Sequence, residues 1–142
     1  MCYNINGDNM KHLVIEMRHI WNVKNIDWMG YRINRGDSLS FHHIVKKENH
    51  GKFEIDNGAL LNGDSSHPYL HLIETKDLEL YIYLNNLLKN INSQREFPNR
   101  QQLLAIDGVL RQFEREHCSD RNNKGKLLIK NEFCDRMGVR QL

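Results

Sequence analysis

Residues Leu39 to Glu74 read LSFHHIVKKENHGKFEIDNGALLNGDSSHPYLHLIE, and their patterning decides how the chain folds. From Leu39 to Val45 apolar and polar residues alternate, as in a half-buried strand. That alternation places Leu39, Phe41 and His43 on one face and Ser40, His42 and Ile44 on the other. Lys46 to Lys52 is a polar connection. Asp56-Asn57-Gly58 is a turn signal, since Asn and Gly tolerate positive φ, and a short strand pair is expected to bracket it. Ala59-Leu60-Leu61 is the apolar centre of the returning strand. Asn62 to Ser66 then feeds a helix. Ser66 or His67 suits its N-cap, and Pro68 suits the first helical position, where a missing N–H costs nothing. An apolar stripe of Leu70, Ile73, Leu78, Tyr81, Ile82, Leu84, Leu87 and Leu88 carries the helix to about Asn90, with an interruption near Asp77.

Five of the eight histidines lie in this stretch: His42, His43, His50, His67 and His71. A neutral imidazole ligates metals and exchanges protons near pH 7. His67 and His71 stand one helical turn apart, on one side of the expected helix. A strict pleat splits His42 and His43 between faces, but a bend at the strand's end lets both rings reach one site. His50, in the polar connection, reads as an exposed loop residue.

A His-His pair at the end of a strand, an Asn before a short apolar strand, and two histidines one turn apart at the start of a helix resemble the HNH endonuclease family. The resemblance implies an α+β fold with a ββα-metal core at about residues 38–90 and additional helices, mostly C-terminal (about 100–142), in one domain over residues 1–142. It implies a metal-dependent phosphodiester hydrolase acting on DNA, of the small kind found in phages and bacterial mobile elements. In that family pattern His43 is the general base and Asn57 pins the loop that holds it in position. His42 and His67 are metal ligands, and His71 is a third ligand or a contact to the phosphate and leaving group. Lys46 and Lys47, in the polar connection, are candidate phosphate contacts, with a simply solvated surface as the alternative reading. One divalent ion is implied, magnesium or manganese by family habit, although imidazole ligands also suit zinc or nickel. Many members carry Asp where His42 stands, and a His-His version is a common variant. Many also frame the finger with four zinc-binding cysteines, which this sequence lacks. Two other readings compete with the nuclease. One is a non-catalytic metal- or nucleic-acid-binding module built on the same finger. The other is a bacterial toxin, for which a translocation region and an immunity partner would be expected.

Composition bounds these readings. With 142 residues, 39% hydrophobic and 27% charged, the chain is long enough for one domain with a real core. No apolar run approaches the roughly 20 residues of a membrane span. Met1 to Met10 lacks the apolar run of a signal peptide, so a cytoplasmic location is expected. Cys2, Cys118 and Cys134 are odd in number and far apart, and free thiols are expected. The net charge of +2 is no strong polyanion signature. Its distribution says more: Arg111 to Leu142 holds eight Lys/Arg against five Asp/Glu, whereas Leu61 to Leu110 holds four against six.

The flanks are less decided. Asn9 to Ile20 fits a strand or a short helix. Trp21, Ile26, Trp28, Met29, Tyr31 and Ile33 read as core-seeking residues between turns at Gly30 and Asn34 to Asp37, with base stacking as a second role for Trp28. Asn92 to Asn99 reads as a linker and Arg100 to Cys118 as an amphipathic helix. A last short helix is expected over Leu127 to Met137.

Overall fold

A computed structural model of the protein describes residues 7–118. The expected element over Leu127 to Met137, most of the basic segment from Arg111 to Leu142, and Cys2 and Cys134 lie outside those residues. The described chain mixes helices with one small antiparallel sheet. In order it forms α1 (Gly7–Ile20), β1 (Leu39–His43), β2 (Gly58–Asn62), α2 (Ser66–Lys76), α3 (Leu78–Gln94) and α4 (Arg100–Phe113). A π-helical turn at Glu114–Cys118 follows α4.

The two strands pair from Leu39 opposite Asn62 to His43 opposite Gly58. The hairpin connection runs from Ile44 to Asn57 and ends in a 3₁₀ turn, Ile55–Asn57. No short strand lies between Ile44 and Asp56 to bracket the turn, contrary to expectation. Asn57 instead spends its side chain on the connection itself. Every residue of β2 is buried, because the strand is covered by α1 and by the α2–α3 pair. Gly58 is fixed by close approach: a Cβ there would overlap the Phe41 ring.

Asn9 to Ile20 resolves as the last twelve residues of α1, which buries Met17 and leaves Ile15 on the surface. Arg18 holds the turn that follows, donating to the carbonyls of Val23 and Lys24, each at 3.2 Å. Trp21 and Trp28 then pack together with ring centroids 5.1 Å apart, both fully buried. Trp21 also donates Nε1–H to the Ile91 carbonyl at 3.0 Å. Full burial removes Trp28 from any base-stacking role.

One buried carboxylate ties this irregular segment to the hairpin. Asp27 accepts from the Met29 and Tyr31 amides through Oδ1, at 2.8 and 2.9 Å. Through Oδ2 it accepts from the Asn62 amide at 2.8 Å and from the Ser66 hydroxyl. Burial pushes its pKa up, and the four donors oppose that rise. Because Ser66 is committed to Asp27, it does not cap α2. The helix begins at Ser66 itself, with Ser65 at its head and the Tyr69 amide bonded to the Ser65 carbonyl at 3.0 Å. Pro68 therefore sits third in the helix, not first.

The long helix breaks at Asp77, which lies outside helical φ/ψ and caps α3 by accepting from the Leu80 amide. Tyr81, Leu84, Leu88 and Ile91 form the buried stripe of α3. The helix runs to Gln94, three residues into the expected linker. Asn99 and Gln102 form a reciprocal capping box at the head of α4. From α4, Phe113 reaches back to Tyr69 of α2 with centroids 5.7 Å apart.

Candidate metal centre

The ββα order brings three of the histidines together. His42 leaves β1 on the face towards α2, and His67 and His71 stand on the first turns of α2. One ligand atom from each lies within 4.8 Å of the others. Ligands to one zinc-sized ion, with bonds of about 2.0–2.1 Å, sit roughly 3–3.5 Å apart, so small side-chain rotations close the set. Ring centroids are 5.5 Å apart for His42 and His67, and 4.9 Å for His67 and His71.

Each imidazole spends one ring nitrogen on a protein oxygen, which leaves the other for a ligand role. His42 Nε2 meets Asn85 Oδ1 at 2.9 Å. His67 Nδ1 meets Ser40 Oγ at 2.6 Å, and the Ser40 hydroxyl is directed at the Leu61 carbonyl, 3.2 Å away. His71 Nδ1–H donates to Glu74 Oε1 at 3.2 Å. The donor set is three imidazoles oriented from behind, which fits a divalent cation. Burial drives the His42 pKa down to about 4. Burial, followed by the charges of its neighbouring histidines, drives His67 down to about 3. Both are therefore neutral and ready to ligate at pH 7.

His43 points to the other face of β1, as alternation requires. It packs against Phe41 and Phe53 with centroids 4.9 and 6.0 Å away. Its Nε2 is enclosed and has no hydrogen-bond partner. Burial, then the nearby charge of Lys47, lowers its pKa. Even so, the strand's end lets His43 line the same cavity as the triad, a space of about 390 Å³ that Lys46, Lys47 and Tyr81 also border.

The Asn57 side chain does not hydrogen-bond His43. Its Oδ1 accepts from the Val45 amide at 2.7 Å, and its Nδ2 donates to the carbonyls of Val45 and Lys52, both at 2.9 Å. It thereby closes the loop that follows His43 at both ends. Gly51 folds into that loop so tightly that a Cβ would overlap the Val45 carbonyl. Lys46 and Lys47 ride on it. Lys46 pairs with Glu74 and also reaches Glu48 at 3.5 Å. Lys47 is exposed. His50 is exposed on the same loop in left-handed geometry.

Tyr81, which lines the cavity, and Ser40, Glu74 and Asn85, which bond to residues lining it, are unannounced by any motif. For Asn85 a signal exists: it interrupts the apolar stripe of α3 between Leu84 and Leu88. So does Asn92, whose Nδ2 donates to the carbonyls of Ile55 and Gly58, both at 2.7 Å. A second group, Asp77, Glu116 and His117, also clusters within 4.8 Å. Its atoms serve the fold: Asp77 caps α3 and meets His117 Nε2 at 3.2 Å, joining the start of α3 to the end of α4.

The chain matches no protein-family model, and neither the curated proteins nor the solved structures give a significant match. Among the described residues no helix is long and apolar enough to cross a membrane.

Proposed function

We propose that the chain is a metal-dependent endonuclease of the HNH kind, hydrolysing phosphodiester bonds in DNA. The observation that supports this reading is the convergence of His42, His67 and His71 beside a fourth histidine, His43, that faces the same cavity without belonging to the ligand set. A site that only held the metal would need the three ligands and no fourth imidazole at the cavity.

His42, His67 and His71 hold one divalent ion. When bound, the ion neutralises charge on the phosphoryl group and on the departing 3′ oxygen as a Lewis acid. His43 takes the proton of the attacking water. Its enclosed Nε2 leaves Nδ1 as the nitrogen for that transfer, and the lowered pKa keeps the ring neutral at pH 7. The water oxygen bonds to phosphorus as the bond to the 3′ oxygen breaks. His71, the most exposed ligand, lies on the substrate side, within reach of the phosphate. Asn57 keeps the loop after His43 closed, and Lys47 projects from that loop as a phosphate contact. Lys46 joins it only by leaving Glu74. Three imidazoles favour zinc or nickel on ligand softness, whereas magnesium or manganese need water and phosphate oxygens to complete the shell.

Supercoiled plasmid incubated with the protein and Mg²⁺, Mn²⁺, Zn²⁺ or Ni²⁺, with EDTA controls, tests this reading. Metal-dependent nicking or linearisation is expected. His43→Ala should fold and bind metal normally yet lose about 10²–10⁴-fold in rate, whereas His67→Ala should lose metal affinity. Tight metal binding with no cleavage under any of the four ions would assign the finger to a non-catalytic binding module.

A further inference from the structure

We propose that Asn85, on α3 and outside the ββα motif, is a positioning residue that fixes His42 as an Nδ1 ligand. The inference rests on the metal-binding reading of His42, His67 and His71. The orientation of the Asn85 amide is not free. Its Nδ2 donates to the Ile44 carbonyl at 2.9 Å, which leaves Oδ1 facing His42 Nε2 at 2.9 Å. A carboxamide oxygen only accepts, so His42 carries its proton on Nε2 and presents a lone pair at Nδ1. The ring is nearly fully buried, and among the described residues its one hydrogen-bond partner is Asn85.

The same amide holds the backbone two residues beyond His42, where β1 ends. Asn85 thus sets both the tautomer of the ring and the exit of the strand that carries it. A hydrogen bond from the far nitrogen fixes ring orientation and raises ligand basicity, and its loss typically costs about 10–100-fold in metal affinity. α3 is in this view part of the metal centre rather than a scaffold behind it.

Two variants separate this role from simple tethering. Asn85→Asp keeps the acceptor for His42 but sets a carboxylate against the Ile44 carbonyl. Asn85→Leu removes both bonds. Calorimetric titration with Zn²⁺ should show Asn85→Leu weakened about 10–100-fold and Asn85→Asp as tight as wild type or tighter. If Asn85 only tethers Ile44, the aspartate will bind no better than the leucine, and the inference is overturned. Equal affinity of Asn85→Leu and wild type overturns it too. Nitrogen-15 NMR of the wild-type protein gives a reading that needs no variant: His42 should be protonated at Nε2 with and without Zn²⁺, and metallation at Nε2 contradicts the assignment. His67→Ala serves as the control. A wild-type protein that binds no Zn²⁺ removes the metal reading itself. Binding that His67→Ala abolishes and Asn85→Leu leaves intact removes the role of Asn85 alone.

Discussion

Replacing Asn57 tests how the hairpin connection is held. Three hydrogen bonds converge on this side chain, which is 7% exposed: the Val45 amide at 2.7 Å, and the Val45 and Lys52 carbonyls at 2.9 Å. Asn57→Ala removes all three. At a net value near 1 kcal/mol each, and with water able to reach the exposed Val45 end of the loop, the loss is about 2–3 kcal/mol. Asn57→Asp is harsher at neutral pH, although it changes only one atom. Its carboxylate still accepts from the Val45 amide, but its second oxygen faces two carbonyl oxygens where an NH₂ had donated. That repulsion raises the aspartate's pKa in the folded protein above its unfolded value. The penalty is therefore absent below about pH 4 and grows as pH rises through the folded pKa. Urea denaturation of the two variants across pH 4–8 should show the aspartate less stable than the alanine at pH 7, with the gap closing on acidification. Zn²⁺ affinity should stay within a few-fold of wild type, since no ligand sits on the loop, while plasmid cleavage falls. A folded Asn57→Ala within about 0.5 kcal/mol of wild type would refute the loop-closing role.

Three further outcomes are expected. Asp27→Asn keeps the shape but offers an NH₂ where two buried donors now point, so urea unfolding should show a loss of roughly 3–5 kcal/mol, and a melt like wild type would contradict the buried knot. In the metal-free protein His42 titrates near 4 when folded and 6.5 when unfolded. The stability of its neutral form is thus whole above pH 6.5 and declines by about 3 kcal/mol towards pH 4, a slope that chemical denaturation in EDTA should show and that His42→Phe should lessen without abolishing, because His67 titrates in the same direction. Lys47→Ala should weaken DNA binding uniformly across sequences and reduce the slope of log affinity against log salt by about one, with unchanged salt dependence excluding Lys47 from the contact.

Much of the fold could be read from local patterns. Alternation along Leu39 to His43 placed the two strand faces correctly, and histidines one turn apart put His67 and His71 beside each other. The break at Asp77 was visible as a polar residue with cap chemistry inside an apolar stripe. What stayed hidden depends on pairings distant in sequence. Asp27 finds its partners 35 and 39 residues away, at Asn62 and Ser66, and that bond shifts the start of α2 without any mark in the local sequence. Asn85 meets His42 across 43 residues. The bracket around Asp56 to Gly58 failed for a related reason: the Asn57 amide does pin the loop, but it reaches Val45 and Lys52 from a 3₁₀ turn and not from a turn between two short strands. α1 was ambiguous because MKHLVIEM mixes β-branched residues with an apolar spacing that both structures accept, and burial of Met17 against the core decides it.

Asn57 is followed by Gly58, the dipeptide through which polypeptides age fastest. In a slack chain the glycine amide nitrogen attacks the asparagine carbonyl carbon, ammonia departs, and the succinimide opens to aspartate or isoaspartate. Here the Asn57 amide is turned away and fastened to Val45 and Lys52, while Gly58 opens β2 opposite His43. The folded protein therefore shields the bond that its own sequence makes perishable. Each excursion to the unfolded chain exposes it, and the aspartate product returns with a carboxylate aimed at two carbonyls. Age would then be written into the protein at the loop beside His43, so the fraction of deamidated Asn57 counts the time the chain has spent unfolded.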